Sequence, residues 1–523
     1  MERNPTVEIY DTTLRDGTQQ EGISLTANDK LKVARLLDEL GVDYVEGGWP
    51  GANPKDDEFF HRAKSELSLS NATLVAFGST RRKDALPSDD EQLAALLAAE
   101  TDVICLVGKS WDYHVEHALK TSLDEAVAMV ADSVAYLRSK NRRVFFDAEH
   151  FFDGYRANPD FALAVLQGAK DAGAERLVLC DTNGGFLSHD VERVLGEVGE
   201  ALHDPKLGCH FHNDSGMAVG NSLTAVRAGA VQVQGCVNGY GERTGNADLC
   251  SVIPNLSLKM NVGVSPADHL DHLTRVSHHI AEIINLTLDP HLPFVGSSAF
   301  THKAGLHTSA LARRSDTYEH MDPTRVGNAT RVVVSELAGR STVLAKAKDQ
   351  GLALDGDAAQ RVVDMIKELE HEGYQFEAAD GSFELLLRRA AGWTQDFFEL
   401  ESYRVFIEHR TGGEVLAEAT VRAVVNGERV VTTREGDGPV SALDRALRDT
   451  LLDSFPQLSK FKLTDFRVRD LDSSDGSSAR VRVLVEHASA DESWGTVGVH
   501  VNIIDAAWEA IVDGFIVGLL RTT

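Results

Sequence analysis

The stretch VEIYDTTLRDGTQQEGISLTANDKLKVARLLDELGVDYVEG, residues 7–47, decides the fold. It opens on a short β-type run, VEIYDTT (7–13), and passes through a polar loop. It continues as DKLKVARLLDEL (29–40), with apolar residues on one helical face, and closes on a second short run, DYVEG (43–47). Strand, amphipathic helix, strand is the pattern of a βαβ crossover, which makes its two strands parallel. Thr26 stands where a helix N-cap is expected.

The pattern recurs. Further β-type runs follow at TLVAFG (73–78), DVICLVG (102–108), RVFFDAE (143–149), RLVLCD (176–181), KLGCHFHN (206–213) and VQVQGCVN (231–238). Helical patterns lie between them, as at 123–138, with Ser122 as its cap, and at 161–172. Near-continuous apolar strands alternating with amphipathic helices predict a parallel sheet covered by helices. Eight units over roughly 250 residues match the scale of a (β/α)₈ TIM barrel. An open doubly wound sheet is the competing α/β fold. It collects function at one switch point, whereas here polar residues follow nearly every strand, so the barrel is the expectation.

After about residue 260 the rhythm stops. Residues 260–395 read as mostly helical and polar, around a loop GSSAFTHKAGLHTSA (296–310). From about 400 alternating strands appear: YRVFIEH (403–409), EATVRAVV (418–425) and ERVVTT (428–433), then a helix at 440–452. A similar order follows: FKLTDFRVRDL (461–471), ARVRVLVEHA (479–488), GTVGVHV (495–501), then a helix at 504–520. The expected organisation is a catalytic barrel at 1–265, helical linker subdomains at 266–398, and a C-terminal α+β domain with an internal repeat at 399–523.

Composition narrows the function classes. With 43% hydrophobic and 25% charged residues, the 523-residue chain is ordinary globular material and not disordered or fibrous. Its 80 acidic against 52 basic residues, a net charge of −28, argue against nucleic acid as a partner. The five cysteines have no CxxC spacing, and Cys105, Cys180, Cys209 and Cys236 sit inside apolar runs, which predicts buried, reduced thiols. The N-terminus lacks the apolar core of a signal peptide. The apolar stretch 225–237 is interrupted by Arg227, Gln232 and Gln234, so no membrane span is expected and a cytoplasmic protein is the default.

The strongest chemical signal is CHFHND (209–214), at the end of the seventh run. Residues two apart on a strand face one side, so His210 and His212 can present imidazoles to one cation. Neutral imidazole suits Zn²⁺, Mn²⁺, Fe²⁺ or Co²⁺, and an aspartate from another strand would complete a two-His-one-carboxylate site. The plain alternative is two satisfied histidines near a loop. The first run ends in DTTLRDGTQQ (11–20), where Asp16 offers a hard oxygen ligand and Arg15 a permanent cation able to stabilise a forming oxyanion; an isolated Arg-Asp pair would otherwise read as a surface ion pair.

The last run enters NGYGERTGNADL (238–249), whose GxGxxxG spacing is wrong for a nucleotide loop. It reads better as a tight loop placing Asn246 and Glu242 near the cation, with Glu242–Arg243 equally readable as a structural ion pair. Glu149, ending the fifth run, is a candidate acid/base or an ordinary carboxylate pairing with His150 or Arg156. His302 and His307 lie outside the barrel and read by themselves as surface histidines.

Together DTTLRDGTQQ, DTNG (181–184), HFHND, GERTGN and HKAGLH (302–307) resemble the DRE-TIM metallolyase superfamily. More narrowly the chain is similar to its Claisen-condensing branch of isopropylmalate, homocitrate and citramalate synthases, and YVEGGWPGANPKDDEFF (44–60) looks most like the citramalate group. The resemblance covers almost the whole chain, including a tail like that branch's regulatory domain. It implies a divalent cation (Mn²⁺, Mg²⁺, Zn²⁺ or Co²⁺) held by Asp16, His210, His212 and Asn246, and an acyltransferase reaction between acetyl-CoA and a 2-keto acid, pyruvate in the citramalate group. It further implies that Arg15 stabilises the alkoxide, that Thr182 holds the substrate carboxylate, and that Gln19 orders the first loop. Glu149 and His307 match family residues near the reacting proton; the histidine reaches the partner subunit's site, so a homodimer is implied. Feedback through the tail, with isoleucine as effector, follows from the same likeness.

The alternatives are isopropylmalate synthase, homocitrate synthase, a metal-dependent lyase on the same barrel, and a sensor built on a dead barrel. Homocitrate synthase needs a cation for a second carboxylate, and only Arg15, Arg81, Arg82 and Lys109 follow strands. The regulatory-type tail counts against a lyase. A dead barrel would lack one of Asp16, His210, His212 or Arg15, and all are present.

Overall fold

The computed structural model describes residues 6–523 apart from 204, 304–306, 308, 309, 312, 334–338, 395, 396, 410–414, 472–478, 491 and 523. Eight parallel strands close into a barrel in chain order: β1 (Glu8–Asp11), β2 (Tyr44–Gly48), β3 (Thr73–Ser79), β4 (Val103–Lys109), β5 (Arg143–Glu149), β6 (Arg176–Asp181), β7 (Leu207–Phe211) and β8 (Gln232–Gly235). Closure is made by β1 against β8, with Ile9 beside Val233. Every residue of β2, β7 and β8 is buried, as expected of strands covered on both faces.

The helices start where the sequence places their caps. Thr26 and Asp29 form a reciprocal capping box at the head of Ala27–Leu40, which ends at Gly41 with φ 84°. That helix buries Leu31, Val33, Leu37 and Leu40. Ser122 caps Leu123–Ser139 by accepting from the Glu125 amide.

The barrel interior is layered and partly polar. At its floor Arg176 pairs with Glu8, which also accepts from Gln232 Nε2 at 3.1 Å. Above it lie Tyr10, Tyr44, Phe77, Cys105 and Phe145, with Tyr44 and Phe145 edge to face at 5.0 Å. Higher still, Glu46, Asp147 and Gln234 bring polar groups into the closed barrel. All five cysteines are buried and free.

The chain forms two compact units, 1–300 with 323–329, and 301–322 with 330–523. The barrel unit continues past residue 265, because helix Leu273–Ile284 packs on helix Ala27–Leu40 and Arg275 pairs with Glu39. The second unit holds two short parallel strands, β9 (Thr301–His302) and β10 (Arg331–Val332). Helices Arg340–Asp349, Gly356–His371 and Asp380–Ala390 follow. Then come two antiparallel meanders of the same design: β11 (Glu399–His409), β12 (Val415–Val425) and β13 (Glu428–Gly436) lead into helix Pro439–Leu451, and β14 (Lys462–Asp470), β15 (Val481–Ala488) and β16 (Ser493–His500) into helix Ile503–Thr522. Inner faces of both meanders share one core, including Val421, Leu447, Val483 and Phe515. The linker helices build a second core around Val362, Ile366 and Leu387 that takes in Val497 of β16. Among the described residues no helix is long and apolar enough to cross a membrane.

Candidate active site

The barrel's C-terminal mouth opens on a cavity of about 630 Å³. Arg15, Asp16, Gln19, Glu149, Thr182, His210 and His212, all singled out from the sequence, line it. Strand β7 delivers the histidines by alternation: His210 faces inward, and His212 follows two residues later on the same side. Asp16 arrives from the turn after β1, which is built by Asp11 accepting from the Thr13 amide and hydroxyl, both at 2.9 Å. Burial raises Asp11 to about 7 against those two hydrogen bonds.

Asp16 Oδ2 lies 3.2 Å from His210 Nε2 and 3.8 Å from His212 Nε2, and the two Nε2 atoms are 3.4 Å apart. All three side chains are almost fully buried. Burial alone would raise the pKa of Asp16, but Arg15, then the two histidines, overcome it and hold it well below the usual range. Burial lowers His212 to about 4, helped by His210; on His210 the same burial is outweighed by Asp16, which raises it.

The donor set fits a divalent cation. Three electron-rich atoms converge at the cavity mouth within 4.8 Å of one another, a crowding that a cation relieves. Asn246 offers a further oxygen: its Nδ2 donates to the Tyr240 carbonyl at 2.9 Å, and its buried Oδ1 has no hydrogen-bond partner among the described residues. Backbone bridging sets Asn246 beside His212. The loop carrying it requires its glycines. At Gly241, φ is 147° and a Cβ would stand 2.2 Å from Asn246 Nδ2; at Gly245, φ is 88° and a Cβ would stand 1.9 Å from the Gly239 oxygen.

Arg15 is fixed from below. Its Nε donates to Glu46 Oε1 at 2.5 Å, its Cζ lies 3.8 Å over the Phe77 ring, and NH1 is 3.7 Å from Asp16. Burial disfavours the charge, yet Glu46 and Asp16 raise the guanidinium pKa further above its ordinary value. Thr182 accepts the His150 amide at 2.9 Å, which leaves the hydroxyl proton available to a ligand.

Glu149 pairs with Lys109 rather than with His150 or Arg156, and Arg156 pairs with Asp153 instead. Arg243 makes a two-pronged contact with Asp214 at 2.8 and 2.9 Å and a looser one with Glu242 at 3.6 Å, while Glu242 itself lines the cavity. Of the other cations on the cavity wall, Arg81 is committed to Glu125 and Asp132. His302 and His307 belong to the second unit. His302 lies 3.7 Å from Glu319, and His307 stacks on Tyr318 at 4.0 Å; residues 304–306 of the HKAGLH motif lie outside the described residues.

Sequence reading leaves Glu46, Asp147 and Gln234, on β2, β5 and β8, without a role. Glu46 accepts from Tyr10 Oη at 2.5 Å as well as from Arg15. Gln234 bridges His210 and Asp147. Their signal is a polar residue at every second position of otherwise apolar runs, as in VQVQG.

Comparison with known proteins agrees with this architecture. The HMGL-like family matches residues 6–280, the homocitrate synthase post-HMGL domain-like family 294–374, and the LeuA allosteric (dimerisation) domain 377–517. A Synechocystis sp. protein described as (R)-citramalate synthase is 53% identical, covering 98% of this chain and 96% of its own. One from Aquifex aeolicus with the same description is 49% identical over 98% of each chain. A Methanopyrus kandleri protein described as a probable 2-isopropylmalate synthase is 31% identical over 97% of each.

A closed (β/α)₈ barrel with Arg15, Asp16, His210 and His212 at its mouth, joined to a LeuA-type domain, defines an HMGL-like condensing enzyme, an acyltransferase. Within the HMGL-like family the chain belongs to the (R)-citramalate synthases, which it matches over nearly its whole length.

Proposed function

We propose that the barrel condenses acetyl-CoA with pyruvate to give citramalate and CoA, as a step toward isoleucine. The observation that carries this reading is the convergence of Asp16, His210 and His212 beside the partly buried Arg15 guanidinium. Asp16, His210, His212 and Asn246 would hold a divalent cation, Mn²⁺, Mg²⁺, Zn²⁺ or Co²⁺, which supplies Lewis acidity and a template for the keto and carboxylate oxygens of a 2-keto acid.

The chain's own groups do the rest. Thr182 donates its hydroxyl to the substrate carboxylate, and Gln19 borders the same cavity. Glu149 takes a proton from the acetyl methyl group, whose carbon then bonds the keto carbon. Arg15 stabilises the negative charge that develops on the keto oxygen, from a position set before reaction by Glu46. Water then cleaves the thioester, releasing CoA and making the condensation effectively irreversible. His307 serves the same proton transfers from the partner subunit of a homodimer. The catalytic barrel is 1–265, the linker 266–398 carries His307, and 399–523 forms the dimeric, isoleucine-sensing domain of a cytoplasmic enzyme.

Pyruvate is favoured over 2-oxoglutarate because Lys109 and Arg81, two of the cations on the cavity wall, already bind carboxylates of the chain. A single missing methylene is worth only about 1–3 kcal/mol, so exclusion of 2-ketoisovalerate must come from filled space, here around Trp49, Phe77 and Val107. The deciding experiment is thiol release from acetyl-CoA with pyruvate, 2-ketoisovalerate or 2-oxoglutarate. Preference for pyruvate is expected. A preference for 2-ketoisovalerate would make the chain an isopropylmalate synthase, and for 2-oxoglutarate a homocitrate synthase.

A further inference from the structure

Strand β8 carries two inward glutamines two residues apart, Gln232 and Gln234, both fully buried. Buried amides are costly unless both ends are satisfied. Gln232 uses one end, donating from Nε2 to Glu8, and its Oε1 has no partner among the described residues. Gln234 uses both. Its Nε2 donates to Asp147 Oδ1 at 3.0 Å, and its Oε1 lies 3.0 Å from His210 Nδ1. The strand register makes this possible, since Gln234 stands directly beside His210 across the β7–β8 pairing.

The direction of this relay follows from its ends. Asp147 presents carboxylate oxygens, so the amide NH₂ turns toward it. The amide oxygen must then face the imidazole, and an oxygen accepts only from a ring nitrogen that carries hydrogen. A neutral imidazole has one such nitrogen. The proton therefore resides on Nδ1, and Nε2, the atom 3.2 Å from Asp16, is left with its lone pair pointing into the cavity mouth. His212 has no such support: its Nδ1 has no partner among the described residues.

We propose that Gln234, locked by Asp147, is the positioning residue that fixes the tautomer and ring plane of His210 for cation binding. The proposal rests on the cation reading of the Asp16–His210–His212 cluster. Loss of a group that orients a ligating histidine typically weakens metal binding 10–100-fold.

The test is Co²⁺ titration of the metal-stripped full-length chain, followed by its visible absorption, with circular dichroism to confirm folding. Gln234→Met keeps the length of the side chain and removes the acceptor; Gln234→Asn keeps an amide too short to reach both partners. Both are expected to bind Co²⁺ about 10–100-fold more weakly than the natural chain. Gln234→Glu alone would set a second carboxylate against Asp147, so the rescue is the double variant Gln234→Glu/Asp147→Asn, which exchanges the carboxylate and amide ends and keeps an oxygen opposite Nδ1; it is expected to recover most of the affinity. A folded Met or Asn variant with unchanged affinity overturns the proposal, as does a folded double variant no better than Met, which is what a packing role alone gives. If Met does not fold, Asn decides. Should the natural chain itself bind no Co²⁺ in a manner sensitive to His210→Ala, the cation reading falls and takes the proposal with it.

Discussion

Arg15 and Glu46 are joined at 2.5 Å beneath the mouth of the barrel, and Glu46 is held in turn by Tyr10 Oη. The carboxylate faces away from solvent entirely, so its pairing with Arg15 decides whether the guanidinium is tolerated where it stands. Removing one partner of a buried ion pair costs about 3–5 kcal/mol, because the other charge is left uncompensated. Glu46→Leu should lose stability on that scale in urea unfolding. Arg15→Lys keeps the charge but loses the planar fork and its seat over Phe77. It should fold and yet lose about 10²–10³ in kcat, the usual cost of removing one oxyanion donor. Unchanged turnover in Arg15→Lys would mean the oxyanion is stabilised elsewhere.

Glu149 and Lys109 form an ion pair on the cavity wall. If Glu149 accepts the methyl proton, Glu149→Gln should lower kcat by about 10²–10⁴ with KM for both substrates little changed. Lys109→Met should retain more turnover than Glu149→Gln, since it removes a neighbour and not the proton acceptor. The reverse order would transfer the principal role to the lysine. Stopped-flow thiol release on both variants, with pyruvate saturating, makes the comparison.

Much of this site is legible in the sequence because strand alternation and the barrel's directionality act together. Once VEIYDTT and KLGCHFHN are read as barrel strands, Asp16, His210 and His212 must meet at one rim. Strand boundaries move by only a few residues: β5 and β6 coincide with the runs 143–149 and 176–181. What the sequence hides is lateral. Gln234 reads as a residue that interrupts an apolar stretch, because its value depends on register with β7, and register is set by closure of all eight strands. Glu149 is equally opaque: its partner lies on β4, forty residues away in sequence, and neither chain neighbour supplies it. His307 belongs to the second unit, where the alternation of the barrel strands says nothing about its place.

Chelation should act on stability as well as on turnover. A ligand that binds only the folded chain stabilises it by about 2.7 kcal/mol at a hundred times its Kd. Stripping with EDTA should abolish condensation and lower Tm, and returning Mn²⁺ or Co²⁺ should restore both. Asp16→Asn keeps the shape of the ligand and removes its charge; its Tm should no longer respond to added cation. A Tm response to cation that survives Asp16→Asn, His210→Ala and His212→Ala would place the binding site elsewhere.

The C-terminal core holds a histidine that the reaction does not use. His487 on β15 is fully buried, stacked parallel to Trp494 at 6.0 Å and edge-on to Phe461 and Phe515. Neither ring nitrogen has a hydrogen-bond partner among the described residues, and the facing charged groups are Asp444, 4.0 Å away, and Arg448, which is itself paired with Asp444. Burial, with a smaller push from Arg448, lowers the imidazole to about 3 from an ordinary 6.5. The unfolded chain therefore binds a proton that the folded chain refuses. Stability is complete above about pH 6.5 and declines as the pH falls toward 3, at no more than about 1.4 kcal/mol per pH unit from this group. His487→Leu removes both the titration and the unsatisfied N–H. It should be at least as stable as the natural chain at pH 7 and lose stability less steeply between pH 6.5 and 5. Amide exchange of residues 481–488, corrected for intrinsic rates, reads this core directly. Equal pH slopes in the two proteins would show that the ring finds a partner for its proton, and the neighbour to suspect would be Asp444.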